Sequence, residues 1–258
     1  MVNEKILTVV IPTKNRSELL KRSVESFSNL GDLLNLVVVD DGSSKEQASK
    51  NKEIVEKMGH YCRLPNSFGG PYARNFGAKK SNSQFIWFFD DDDSVSENTI
   101  KKVIKVLEGK PKADVILLPM KIIENNTSQK IIVPDQNKNN FETYRVHGHQ
   151  VNTSCTIIKR DSFIKAGMWD ENLMAGQDTD LFLRLSTFSK YLCLDIEPVN
   201  VFVDHTDRIT DNTSKQHKAK KQFLLKNWNL LSWKRRLFYL RTYIATYPIV
   251  TKFRKLIR

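Results

Sequence analysis

Only three cysteines occur in the 258 residues, Cys62, Cys155 and Cys193, and none stands at metal-ligand spacing from another. An odd, dispersed set of thiols argues for a reducing compartment and against a disulfide framework or a zinc site. The first eleven residues lack a basic stretch followed by a long apolar one, so no signal peptide is expected. The apolar stretch 237–250 is too short to span a bilayer and contains Arg241. No Ser–His or Cys–His arrangement offers an activated nucleophile, which disfavours covalent catalysis. Acidic residues are missing from the end of the chain. From Lys215 to Arg258 there are 13 Lys and Arg and no Asp or Glu, which leaves 28 basic against 29 acidic residues in 1–214. The formal charge of +12 therefore belongs to the C-terminal segment alone.

What is present is organised around one stretch. Phe85-Ile86-Trp87-Phe88-Phe89 runs directly into Asp90-Asp91-Asp92-Asp93. A continuous apolar run of this kind reads as a strand buried on both faces. Four carboxylates at its end repel one another, and a divalent cation relieves the repulsion. Mg²⁺ or Mn²⁺ prefers oxygen ligands and takes one or two carboxylates together with substrate phosphates. The bland alternative is a solvated acidic turn before the next helix. The aromatic lead-in favours a metal–phosphate site.

Ile6 to Ile11 reads as a first buried strand ended by Pro12, followed by the polar loop Thr13-Lys14-Asn15-Arg16. Ser17 then caps a helix to about Leu30. Leu36 to Val39 is a second strand, ending in Asp40-Asp41-Gly42-Ser43-Ser44, with a helix from about Lys45 to Met58. Strand, helix, strand, helix implies a parallel sheet with right-handed crossovers, and ligands of such sheets bind outside the carboxyl ends of the strands. The first loop, the Asp40-Asp41 loop and the Asp90–Asp93 loop then share one edge. A helix starting near Pro71 puts Arg74 in its first turns, beside the positive end of the helix dipole and suited to a diphosphate. Further on, the pattern predicts a helix over 96–107, a strand at 115–118, a hairpin joining 122–123 to 131–133 and a short strand at 156–158. It also predicts a helix around 160–166 and another opened by Asp178 and Asp180, whose plain role would be to cap it.

Together these stretches resemble the family 2 glycosyltransferases, inverting enzymes of the GT-A fold. The resemblance covers roughly residues 5–215. It rests on Val9-Val10-Ile11-Pro12-Thr13-Lys14-Asn15-Arg16, Val37-Val38-Val39-Asp40-Asp41-Gly42-Ser43-Ser44, Ala73-Arg74-Asn75-Phe76-Gly77, Phe89-Asp90-Asp91-Asp92-Asp93 and Gly176-Gln177-Asp178-Thr179-Asp180-Leu181, in that order. It implies an α/β GT-A domain over 1–214, with a nucleotide-binding half 1–93 and an acceptor half 94–214, then a basic helical tail 215–258. It implies that Pro12, Thr13, Asn15 and Arg16 line a nucleotide-sugar pocket, that Asp41 with Asp40 holds the base or ribose, and that Arg74 lies near the diphosphate. Asp90 and Asp92 fill the ends of an Asp-x-Asp motif. Asp92 is the expected ligand of Mn²⁺ or Mg²⁺, with Asp90 or Asp91 touching ribose or metal-bound water. Asp178 takes the place of the catalytic base, beside Gln177 where the family usually has Glu. His205 matches a late histidine that in some members ligates metal or touches phosphate; a structural role is the alternative.

The chemistry implied is transfer of a sugar, from UDP by family habit, to a glycan or lipid-linked acceptor in cell-surface polysaccharide synthesis. A sugar-phosphate nucleotidyltransferase is a second reading, but Pro12-Thr13-Lys14-Asn15 is not its Gly-rich basic loop. A non-catalytic binding protein on a degenerate body is a third. In the tail, Leu230, Trp233, Leu237, Leu240, Ile244 and Tyr247 form a helical stripe, with Lys234, Arg235, Arg236 and Arg241 mostly off it. A basic amphipathic helix suits the anionic inner face of the cell membrane, which would make the protein cytoplasmic and peripheral. Packing on the catalytic body, or a homodimer through the tail, stays open. Nucleic acid is disfavoured, since no groove-reading motif is present.

Overall fold

β1 (Leu7–Thr13) and β4 (Phe85–Phe88) lie side by side at the centre of the molecule, and their apolar residues are buried on both faces. The structure, a computed structural model, describes residues 5–125, 127–134, 151–203 and 213–245. From one edge to the other the sheet runs β3 (His60–Arg63), β2 (Asn35–Asp40), β1, β4, β8 (Thr156–Lys159), β5 (Val115–Leu117) and β9 (Tyr191–Cys193). All neighbours are parallel except β8, which is antiparallel to β4 and β5. A second sheet holds β10 (Val199–Phe202), β6 (Met120–Glu124) and β7 (Thr127–Ile132), and its β6–β7 pair is the expected hairpin.

Alternation along the central strands divides the core in two. Val9, Ile11, Phe85 and Trp87 face the layer of α1 (Ser17–Glu25), α2 (Lys45–Val55) and α4 (Glu97–Glu108). Val10, Ile86 and Phe88 face the layer of α3 (Gly70–Lys79), α5 (Arg160–Lys165) and α6 (Gln177–Leu185). Gly77 lets α3 settle on the sheet: a Cβ there would stand 2.4 Å from Val10 Cγ1. Phe27, Trp87 and Phe89 meet edge to face, with centroids 5.2–6.0 Å apart, directly beneath the acidic run. The indole of Trp87 donates to Ser154 O at 2.8 Å, and Ser154 Oγ accepts from Asp90 N at 3.0 Å. The acidic run is thus pinned from below by a rigid aromatic wedge.

Several boundaries differ from expectation for physical reasons. β1 continues through Pro12 to Thr13. Residues of a strand alternate the side to which they bond, and Val10 O accepts from Phe89 N, so Pro12 faces β4, whose pairing ends at Val10↔Phe88. No donor is needed from the proline there. Ser17 is the first residue of α1 and not its cap, that place being taken by Arg16 without a side-chain capping bond; the helix stops at Glu25, and Phe27 and Leu30 are buried from irregular turns. β3, β9 and β10 were not expected; each is short and much of it is half-buried.

The basic C-terminal segment does not begin at a break in packing. α7 (Thr213–Asn227) runs across position 214, and its Ala219, Phe223 and Leu224 join the core beneath α6, as does Leu231 beyond it. The join is also polar. Asp180 of α6 is fully buried and accepts from Arg184 Nη2 at 2.6 Å and Asn227 Nδ2 at 3.0 Å, and Lys226 Nζ lies 2.8 Å from it. In α8 (Trp233–Ala245) the expected apolar stripe is only in part the buried one. Of that stripe Leu230 and Leu240 pack partly buried on the core, but Trp233, Leu237 and Ile244 are exposed, whereas Arg235 is 8% exposed, bonded to Tyr239 Oη at 3.1 Å. Tyr247 lies outside the described residues. No helix of the described residues is long and apolar enough to cross a membrane.

Removing one member of a buried ion pair strands the rest. Asp180→Ala, which takes the carboxylate from Arg184 and Asn227 while Lys226 keeps Asp170, is expected to cost about 3 kcal/mol of unfolding free energy. Urea denaturation measures it, and a change under about 0.5 kcal/mol would show that solvent replaces the carboxylate without cost.

Candidate active site

The loops after β1, β2 and β4 meet at the carboxyl edge of the sheet, and two of them are stapled together. Asn15, in the left-handed region at φ +54°, accepts from Ser44 N through Oδ1 at 2.8 Å, while its own N–H donates to Ser43 Oγ at 2.8 Å. Asparagine tolerates that conformation better than most residues. Between the loops opens a cavity of about 710 Å³ lined by Pro12, Thr13, Lys14, Asn15, Arg16, Asp41, Ser67, Gly69, Gly70, Arg74, Asp90, Asp91 and Asp92.

The four consecutive carboxylates have four different surroundings. Asp90 is paired with Arg74 Nη2 at 2.6 Å. Asp91 is buried; it accepts from Thr13 Oγ1 at 2.7 Å and from Arg16 Nη1 at 2.8 Å. Asp92 lies 3.3 Å from the same arginine atom, and its backbone carbonyl takes a hydrogen bond from Arg22. Asp93 points inward, where its Oδ1 accepts from Phe202 N of β10 at 3.2 Å. Burial pushes the Asp91 carboxyl up to about 6 against the pull of Arg16 and Thr13. Burial, with Asp90 and Asp92 adding to it, pushes Asp93 well above the usual carboxylate range. Asp90 and Asp92 both line the cavity, Asp90 against Arg74 and Asp92 near Arg16. Their hard oxygens suit Mg²⁺ or Mn²⁺ bound jointly with phosphate. Among the described residues no group of three or more His, Cys, Asp or Glu is assembled to hold a metal by itself.

Asp40 and Asp41 part company. Asp41 faces the cavity, but both its oxygens are engaged, accepting from Ser67 Oγ at 2.7 Å, Phe68 N at 2.7 Å and Gly69 N at 2.9 Å. It shapes the 67–69 wall. Asp40, expected to share in holding base or ribose, is fully buried and turned away, accepting from Ser43 N at 2.7 Å, Asn51 Nδ2 at 2.9 Å and Tyr61 Oη at 2.6 Å. Neighbouring strand residues point to opposite faces, so only one of the pair can reach the cavity.

Asp178 stands in the first turn of α6 and is not among the residues lining this cavity. Its Oδ1 accepts from Thr179 N at 2.7 Å. Gln177 folds back, donating from Nε2 to Leu173 O at 2.9 Å, a bond that an ionised Glu cannot make. His205 lies outside the described residues. Two residues not foreseen, Asn75 and Trp169, join α3 beside the cavity to the loop before α6. The Arg74 guanidinium lies 4.9 Å from the centre of the Trp169 ring. Asn75 clamps the Trp169 backbone, donating to its carbonyl at 2.9 Å and accepting from its N–H at 3.0 Å. The signal in sequence is slight: Asn75 follows Arg74, and Trp169 sits in a loop without periodicity.

Because Asp91 titrates higher folded than its ordinary 3.8, its contribution to stability is full below that value and is lost as pH rises through about 6. Asp91→Asn removes that titration. The stability difference between wild type and Asp91→Asn is therefore expected to move against the wild type by up to about 3 kcal/mol from pH 4 to pH 7. Denaturation of both proteins in chelator at the two pH values reads it, and a constant difference contradicts the assignment.

Residues 8–167 match the family model described as glycosyl transferase family 2. The minor teichoic acid biosynthesis protein GgaB of Bacillus subtilis is 30% identical over 199 residues, 71% of this chain and 21% of its own length. The chain thus spans about a fifth of that relative. A Campylobacter jejuni protein described as GalNAc(5)-diNAcBac-PP-undecaprenol beta-1,3-glucosyltransferase is 31% identical over 108 residues, 40% of this chain and 35% of its own. Among solved structures, S. aureus TarS 1–349 in complex with UDP-GlcNAc superposes with a TM-score of 0.68 over 93% of this chain and 72% of that one. At 16% identity that likeness is one of fold.

Proposed function

The chain belongs to glycosyl transferase family 2, and we propose that it moves a sugar, with inversion, from a UDP-sugar to a glycan or lipid-linked acceptor of cell-surface polysaccharide synthesis. The observation that carries this reading is the convergence of Arg16, Arg74 and the Asp90–Asp92 carboxylates in one cavity at the carboxyl edge of the sheet. Carboxylates recruit a cation, arginines bind phosphate, and a nucleoside diphosphate needs both.

In this reading Pro12, Thr13 and Asn15 wall the nucleotide, and Asp41 holds the 67–69 segment against it. Asp92, with Asp90, would hold Mn²⁺ or Mg²⁺, which as a Lewis acid offsets charge on the departing diphosphate. Arg16 and Arg74 turn from their carboxylates toward the phosphate oxygens as these gain charge. The acceptor hydroxyl oxygen attacks the anomeric carbon from the face opposite the diphosphate. The new C–O bond forms as the bond to the diphosphate oxygen breaks, and Asp178 takes the hydroxyl proton. Nucleoside diphosphate leaves with the electron pair. The amide of Gln177 is committed to Leu173 O and leaves acceptor contacts to other residues.

We assign Asp92 and Asp178 separable roles. Asp92→Ala should abolish metal-dependent UDP binding, whereas Asp178→Asn should retain it while transfer falls by more than a hundredfold, about 3 kcal/mol of barrier. Calorimetry with UDP and Mn²⁺, beside a UDP-release assay, separates the two; undiminished transfer by Asp178→Asn removes it as the base.

The exposed Leu225, Trp233, Leu237, Phe238 and Ile244, with Lys221, Lys234 and Arg241 among them, form the surface we place against an anionic membrane. Phe238→Asp with Ile244→Asp should lower co-flotation with phosphatidylglycerol vesicles at least fivefold. Unchanged flotation rejects the membrane surface.

A further inference from the structure

A second cavity lies beside Asp178, on the side of α6 that the C-terminal helices cover. It measures about 310 Å³ and is lined by Ala175, Gly176, Thr179, Ala219, Lys220, Phe223 and Tyr239. Gly176 makes it possible for α7 to come this close: its φ is +73°, and a Cβ there would stand 3.2 Å from Phe223 Cδ2. One wall is aromatic, the Phe223 and Tyr239 rings lying 4.9 Å apart. Another is tied to Asp178. Tyr239 Oη accepts a hydrogen bond from Arg235 Nη2 at 3.1 Å and shares the cavity wall with Thr179, whose N–H holds Asp178 Oδ1. The other oxygen of Asp178 receives no hydrogen bond among the described residues.

The charge in this cavity is unbalanced. Lys220 meets only the Thr242 carbonyl, at 3.4 Å, and pairs with no carboxylate among the described residues. Partial burial pushes its ammonium down from the ordinary lysine range, the direction that an incoming anion would reverse. The C-terminal helices themselves supply no such anion: from residue 217 to 245 the sequence has eight Lys and Arg and no Asp or Glu. Aromatic rings suit a sugar or prenyl face, and an uncompensated ammonium suits a phosphate.

We propose that the cavity between the start of α6, α7 and α8 is the acceptor subsite, and that it takes an acceptor carrying a phosphate, bound by Lys220. The acceptor is then either a sugar on a lipid diphosphate or a phosphodiester polymer. The inference rests on Asp178 being the base of the transfer.

The test uses the full chain with UDP and Mn²⁺ present and two probes, a polyprenyl diphosphate in neutral detergent micelles and a soluble glycerol phosphate oligomer. Calorimetry should show Lys220→Ala weakening at least one probe about tenfold and Lys220→Arg keeping most of the affinity. UDP binding should stay unchanged in both, which also reports an intact fold. If Lys220→Ala disturbs UDP binding, Lys220→Gln against Lys220→Arg makes the same comparison. A loss confined to micelles assigns the phosphate to a lipid carrier, and one confined to the oligomer assigns it to a polymer. Equal affinities for wild type and the alanine variant, or no binding of either probe by wild type, overturn the proposal. Should Asp178→Asn retain transfer while Lys220→Ala still weakens a probe, the assignment of the base fails and the phosphate site stands.

Discussion

Charge compensation at the end of β4 governs the architecture of this chain. Four carboxylates in sequence cannot all ionise at the rim of a buried strand unless something answers them. Arg16 answers Asp91 and Asp92 from the loop after β1, and Arg74 answers Asp90 from α3. Each arginine reaches the run from a different segment, so meeting the charge also draws the loop after β1 and α3 to the end of β4. In the function proposed above, the same pairing readies the site for a diphosphate. Arginines held by carboxylates are already desolvated in part and aimed into the cavity, and a cation with its phosphates can exchange partners with them without rebuilding the loops.

The second constraint is Asp180. A fully buried carboxylate must be matched by several donors, and here two of them come from α7. Asp178 lies two residues earlier in the same helix. The segment that composition marks as a basic tail is therefore joined by a polar network to the helix bearing the proposed base. Phe223, Leu224 and Leu231 fasten the same helices through the apolar core. The concentration of positive charge in this segment then falls beside the α6 N-terminus, where an acceptor would approach in the reading offered above.

Much of this was legible from pattern. The apolar runs of β1, β2, β4 and β5 announce buried strands, and Ser44 and Ser96 cap α2 and α4 by accepting from Gln47 N and Thr99 N. The carboxyl-edge rule brought the three loops together before any geometry was known. What escaped has identifiable causes. β3, β9 and β10 are three or four residues long; β3 and β9 carry no strong apolar run, and the alternation of Val199-Asn200-Val201-Phe202 in β10 is too short to stand out. Trp169 reaches Arg74 only because Asn75 grips its backbone across more than ninety residues of chain.

By itself, then, the order of residues determined the central strands, the acidic run and the arginines able to answer it, because periodicity and local charge are properties of neighbours in sequence. Tertiary structure alone decided that Asp41 faces the cavity while Asp40 is buried, and that Arg235 turns inward while Trp233 and Ile244 stay in solvent. In each case side chains of similar character compete for one face. Which of them is covered depends on what packs above it, and that is set by segments distant in the chain.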